Sequence, residues 1–131
     1  MTYLLDVSAL VALGFINHEF HDRVASWIGS QDTPTLASCS ITELGFVRVL
    51  AQAPAYGLTV AQACALMVRL KQARAARFIF IPDAHDISHL PAWVRTPRQI
   101  TDGHLRKLAA ANSAVLATLD ENIPQSYLIP R

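Results

Sequence analysis

Long hydrophobic runs are missing from this chain, although it is rich in apolar residues. They make up 52% of the sequence, and the mean hydropathy is +0.28. The longest uncharged apolar stretch near the start, Ala9–Ile16, falls far short of the ~18–20 residues that span a bilayer. No basic segment precedes it, so neither a membrane span nor a signal peptide is expected, and the expected address is cytoplasmic. Cysteine is scarce too. Cys39 and Cys64 stand alone, fit no CxxC pattern and are expected to be small buried hydrophobes. The patterns G-x-x-x-x-G-K-[ST], G-x-G-x-x-G and G-x-S-x-G are absent, which argues against P-loop nucleotide hydrolysis, dinucleotide binding and α/β-hydrolase chemistry. No repeat, low-complexity tract or linker interrupts residues 1–131, and the length suits a single domain with one buried core.

Acids are also few, ten Asp and Glu in 131 residues, and their placement is informative. Asp6 follows the apolar run Tyr3-Leu4-Leu5, and Asp120 follows Val115–Leu119. Glu43 opens the helical run Ile41–Leu50, and Asp102 opens Asp102–Asn112. Between them the apolar pattern alternates between strand and helix. Thr2–Leu5, Thr35–Ala37, Phe78–Ile81, Ala114–Leu119 and Tyr127–Ile129 are predicted strands, with Phe78–Ile81 expected to be covered on both faces. Predicted helices cover Ser8–Phe15, Glu19–Ile28 up to Gly29, a run from a Ser40 cap towards Pro54, and a run capped by Thr59. The last is capped by Thr101, and one short helix is expected near Ser88–Val94.

Such alternation implies an α/β domain with a mostly parallel sheet, whose ligand site lies beyond the carboxyl ends of the strands. Acids that end strands, and acids that begin the helices after strands, all belong to that edge. Each has a simpler local explanation. Asp6 suits an N-cap, Ser40-Ile41-Thr42-Glu43 matches a capping box, Asp102 sits in a first helical turn, and Asp120 suits a turn. Four like charges at one edge, however, are tolerated chiefly when a cation joins them. The hard oxygen donors point to a divalent metal that retains waters. The five histidines show no zinc-like spacing and are expected in surface or packing roles. Net charge is +1, but eight of the eleven basic residues lie between Arg69 and Lys107, a zone suited to a polyanion.

At these residues the chain resembles a PIN domain, and within that family the small ribonuclease toxins of VapBC-type toxin–antitoxin modules. The resemblance spans almost the whole chain in order. It runs through Leu4-Leu5-Asp6-Val7-Ser8, then His18-Glu19-Phe20-His21 followed by Trp27. Next comes Ser40-Ile41-Thr42-Glu43-Leu44 with its trailing Arg48, then Arg98-Gln99-Ile100-Thr101-Asp102, and finally Ala117-Thr118-Leu119-Asp120. It implies a three-layer α/β/α fold on a central, mostly parallel sheet of four to five strands. It further implies an endoribonuclease in which Asp6, Glu43, Asp102 and Asp120 hold one or two Mg²⁺ ions, with Mn²⁺ able to substitute, and a metal-activated water attacks the phosphodiester. Ser8, Thr118 and Asn122 would orient ligands or water, and Arg48 and Arg98 would contact the RNA backbone. Many members carry a further acid just after the fourth motif, where this chain has Glu121 and Asn122. The resemblance also implies a homodimer and a VapB-type antitoxin laid into an apolar groove near the early helices.

Two rival readings differ in testable ways. The same fold could serve as an RNA- or protein-binding module with a weak metal site, which would bind Mn²⁺ poorly. A phosphoacceptor receiver would need an acid beside Asp6 and a lysine near the last strand, and no lysine follows Lys107.

Overall fold

Strands form where short runs of apolar residues alternate between two covered faces. The computed structural model describes residues 1–131 and places five such strands: β1 Thr2–Leu5, β2 Thr35–Ser38, β3 Arg77–Phe80, β4 Ala114–Thr118 and β5 Tyr127–Leu128. They form one sheet in the order β3-β2-β1-β4-β5, and every neighbouring pair is parallel. Five helices connect them: α1 Val7–Gly14, α2 His21–Ser30, α3 Ser40–Gln52, α4 Val60–Gln72 and α5 Ile100–Ala111.

The period-two alternation divides the core in two. Tyr3, Leu5, Leu36 and Ala117 pack on one face against residues of α1–α4, including Leu10, Val24, Phe46 and Met67. Leu4, Ala37, Ala114 and Leu116 pack on the other face against Leu105, Leu108 and Ala109 of α5. This is the expected three-layer arrangement. Each of the fully buried leucines contributes about 1.5–3 kcal/mol relative to exposure. Because β1→β2→β3 steps one way and the chain then crosses to β4, the strand order reverses between β1 and β4. That switch point opens a crevice at the carboxyl edge of the sheet.

Several local expectations are corrected. β3 is an edge strand paired only with β2 and is covered only in part: Phe78 packs on one core and Ile79 on the other, while Phe80 is 45% exposed. Ser40 lies inside α3. The cap is Cys39, whose N–H donates to Thr42 Oγ1 at 3.0 Å, so Thr42 fills the box position expected of Glu43. Thr101 likewise lies inside α5, because a 3₁₀ turn at Pro97–Gln99, boxed by Thr96 and Gln99, feeds directly into it. The second helix begins two residues later than expected and continues through Gly29. The loop helix near Ser88–Val94 is a single 3₁₀ turn at Ile87–His89. No helix is long and apolar enough to cross a membrane.

Candidate active site

β1 ends at Leu5, and the next residue serves both the strand and the helix that follows. The Asp6 N–H still donates to Ala117 O at 3.1 Å, as a strand residue would. Its Oδ1 accepts from Ala9 N at 2.9 Å and so caps α1, the helix that follows. The same Oδ1 accepts from Ser8 Oγ at 2.8 Å, and Oδ2 accepts from Thr118 Oγ1 at 2.5 Å. Asp6 is therefore both cap and buried charge, only 6% exposed. Burial raises its pKa above the ordinary carboxylate value. The three hydrogen bonds oppose that shift, and the negative charge of Asp120 adds to it.

Asp102 enters from the first turn of α5, and Asp120 from just beyond β4. The Asp102 pKa is raised by burial first, and then by the charges of Asp6 and Asp120. Asp120 is held by its backbone: its N–H donates to Thr118 Oγ1 at 2.9 Å, while its Oδ1 accepts from Asn122 N at 2.9 Å in an Asx turn. Thr118 thus ties together the acids that follow β1 and β4. A cavity of about 480 Å³ at the switch point is lined by Asp6, Ser8, His18, Tyr56, Asp102 and Asp120 among others.

Glu43 does not line that cavity. Its Oε2 accepts from Ser38 Oγ at 2.5 Å and from Lys71 Nζ at 2.9 Å. Glu43 begins the helix after β2, on the far side of β1 from β4, and Lys71 near the end of α4 meets it there. Lys71 also stands 5.4 Å from the Phe80 ring centroid. Asn122 and Arg98 line a smaller polar cavity of about 260 Å³ that shares Asp102 and Asp120 with the main one. Arg48 is exposed on α3 and lines neither cavity. The basic residues between positions 69 and 107 divide between layers. Arg69 and Lys71 are on α4, Arg106 and Lys107 on α5, and Arg106 is engaged with Gln125.

The donor set suits a hard divalent cation. Asp6, Asp102 and Asp120 offer carboxylate oxygens only, and each Asp6 oxygen has two lone-pair directions, so Oδ2 keeps capacity after accepting from Thr118. Charge points the same way: burial, and after it the neighbouring carboxylates, raise the Asp6 and Asp102 pKa values, and a cation would relieve both. No group of three or more His, Cys, Asp or Glu side chains is drawn in to metal-ligating geometry. The carboxylates line the cavity without converging on one point.

Residues 3–127 match the family model described as the PIN domain. The chain belongs to the PIN-domain family. Within it, the chain is 37% identical to Ribonuclease VapC44 of Mycobacterium tuberculosis over 129 residues, covering 94% of this chain and 89% of that protein. It is 36% identical over 126 residues to Ribonuclease VapC38 of the same organism, covering 92% and 86%. Among solved structures, M. tuberculosis VapC20, a sarcin-ricin loop cleaving toxin, superposes with a TM-score of 0.65 at 14% identity over 98% of this chain and 99% of that one. VapBC2 from Rickettsia felis, bound to a DNA fragment from its promoter, gives 0.61 at 16% identity, covering 98% and 97%. At those identities the superpositions establish the fold.

Of the residues singled out in sequence, this PIN domain brings Asp6, Ser8, Asp102 and Asp120 to one cavity. Thr118 reaches it through its hydrogen bonds to Asp6 and the Asp120 backbone. Three participants were not assigned to the site from sequence, although His18 stands in one of the quoted family motifs and Lys71 in the basic zone. Tyr56 lies in the loop between α3 and α4, His18 falls in the α1–α2 connection, and Lys71 engages Glu43 from 28 residues away.

Proposed function

We propose that this PIN domain is a Mg²⁺- or Mn²⁺-dependent endoribonuclease, the toxin of a two-protein module. The observation that carries the reading is the gathering of Asp6, Asp102 and Asp120 around the switch-point cavity, with Asp6 and Asp102 raised in pKa in part by the other carboxylates. The relatives named as VapC ribonucleases, at 36–37% identity over most of the chain, support RNA as the substrate.

Asp6, Asp102 and Asp120 would hold the ion, with Glu43 joining if it leaves Lys71. When bound, the divalent ion supplies positive charge for the phosphodiester oxygens and lowers the pKa of an attacking water. The chain's own residues prepare this. The Thr118 and Ser8 hydroxyls and the Ala9 N–H fix the Asp6 carboxylate, which leaves one acceptor position on Oδ2 for an ion. Asn122 N fixes Asp120 in the same way. Arg98, beside Asp102 and Asp120, offers a planar fork of donors to a backbone phosphate. No side-chain nucleophile is needed.

A cognate antitoxin and a homodimer belong to the same proposal. The VapBC2 structure supports a partner of that kind, and an apolar cavity of about 170 Å³ between α1, α2, α4 and the β2–β3 edge offers a place for an amphipathic segment. The reading is tested by incubating the chain with a mixed RNA pool and Mn²⁺. Cleavage abolished by EDTA and by Asp6→Asn or Asp102→Asn is expected, and undiminished cleavage by both variants removes these acids from the mechanism.

The alternative, a binding module with a weak metal site, has one observation in its favour: Lys71 already neutralises Glu43. Calorimetry separates the two, because a module of that kind takes up no Mn²⁺ at millimolar concentration.

A further inference from the structure

A second cavity, of about 400 Å³, adjoins the carboxylate cavity and shares His18 and Tyr56 with it. Its other walls are Phe15, Asn17, Glu19 and Ala55. Phe15 and Tyr56 meet edge to face, with ring centroids 4.9 Å apart at 77°, which holds the tyrosine as a rigid wall. His18 is fixed from two sides. Its N–H donates to Phe15 O at 2.9 Å, and its Nδ1 accepts from Phe20 N at 3.0 Å. With Nδ1 accepting, the neutral ring carries its proton on Nε2, so Nε2–H is the donor left for a ligand.

We infer that His18 and Tyr56 form a nucleoside-binding pocket, which takes the base and ribose of the nucleotide next to the scissile phosphate of single-stranded RNA. The inference rests on the ribonuclease reading above. Three features carry it. The pocket shares walls with the carboxylate cavity, so a strand whose phosphate lies at the acids passes directly into it. Its aromatic walls present ring surface, and unpaired bases stack on such rings whatever their identity. Glu19 on the same wall presents a carboxylate, which disfavours phosphate there and suits the pocket to the uncharged part of the nucleotide.

Tyr56 supplies the stacking face and His18 Nε2–H a fixed donor to a ribose hydroxyl or base acceptor.

The test uses fluorescein-labelled single-stranded RNA of about a dozen mixed-sequence nucleotides. Binding is read by anisotropy in an Asp102→Asn background, so that cleavage does not intervene. Tyr56→Ala is expected to weaken binding roughly 5- to 150-fold, the range of one lost base stack. His18→Leu should weaken it less, and His18→Gln, which returns a donor near the Nε2 position, should recover part of the loss. In chains that retain Asp102, Tyr56→Ala should raise KM more than it lowers kcat and leave Mn²⁺ affinity by calorimetry unchanged. Tyr56→Leu keeps apolar packing on Phe15 while removing the flat face, so it should match Tyr56→Ala in binding while melting closer to the parent. Parental RNA affinity in Tyr56→Leu and His18→Leu, in a chain that cleaves RNA, overturns the pocket alone. An unsubstituted chain that neither binds nor cleaves RNA overturns the ribonuclease reading and the pocket with it.

Discussion

Thr118 donates its hydroxyl proton to Asp6 at 2.5 Å across 112 positions of sequence, and accepts the backbone N–H of Asp120 at 2.9 Å. One fully buried hydroxyl therefore sets the spacing between the acids that end the two central strands. Thr118→Val keeps the shape and removes both bonds, leaving a buried carboxylate oxygen and a backbone N–H without partners. A loss of about 1–3 kcal/mol in chemical denaturation is expected. Mn²⁺ affinity should fall as well, and Thr118→Ser should restore both. Unchanged stability in Thr118→Val would remove this bond from the account.

Asp6 and Asp102 both have folded-state pKa values raised above their unfolded ones. The folded chain then binds protons more tightly than the unfolded chain over the interval between those values. The stability this confers is complete at the acid end of that interval and is lost as pH rises through the folded pKa values. At neutral pH without metal both carboxylates are consequently a burden. Asp102→Asn, at a half-exposed position where solvent screens the effect, should gain up to about 1 kcal/mol, roughly 3–5 °C in melting midpoint. Mn²⁺ at 100 times its dissociation constant should stabilise the unsubstituted chain by about 2.7 kcal/mol and the variant far less. Scanning calorimetry at pH 7 with and without EDTA reads both effects. A variant that melts lower than its parent without metal contradicts the electrostatic account.

How much of this was legible in the sequence depends on the range of the interaction concerned. β1 and β4 were legible because a parallel strand covered on both faces is an unbroken apolar run, and the acids after them mark where it stops. β3 has the same apolar character, but the sequence does not say that only one neighbour pairs with it. The Asp6 cap was legible because it acts on Ala9, three residues away. The Glu43 assignment to a capping box failed because Thr42 and Cys39 make the box instead. The fate of Glu43 was not legible at all, since Ser38 and Lys71 reach it through tertiary packing.

The Glu43–Lys71 pair predicts a competition. Lys71 Nζ lies 2.9 Å from Glu43 Oε2, and both side chains are partly exposed. Replacing Lys71 with Met removes a cation while keeping its apolar stem near Phe80, so stability should fall by no more than about 1 kcal/mol. Glu43 would then be free to turn towards the other acids, and the local potential would become more negative. Mn²⁺ binding by calorimetry should tighten by about five-fold, a gain of about 1 kcal/mol for one freed charge in a well-solvated site. Weaker binding would mean that Lys71 holds Glu43 in place for the metal rather than away from it.

Gly103 links the packing of α5 to the carboxylate beside it. A Cβ built there would lie 2.2 Å from Val94 Cγ2 and 3.2 Å from Pro91 Cδ, so the loop at 91–94 presses directly on the helix backbone at the residue after Asp102. The clash falls on a β-branched side chain and a proline ring, neither of which yields readily. Gly103→Ala should cost about 1–3 kcal/mol despite the better helix propensity of alanine, because overpacking outweighs that gain. The displaced partner is the loop or the first turn of α5, and the second would move Asp102. Measuring Mn²⁺ affinity alongside the melting midpoint distinguishes them. Lost stability with parental affinity means that the loop gives way, whereas loss of both means that the glycine holds Asp102 at the cavity. Val94→Ala, which removes the methyl nearest the new Cβ, should rescue part of the stability in either case.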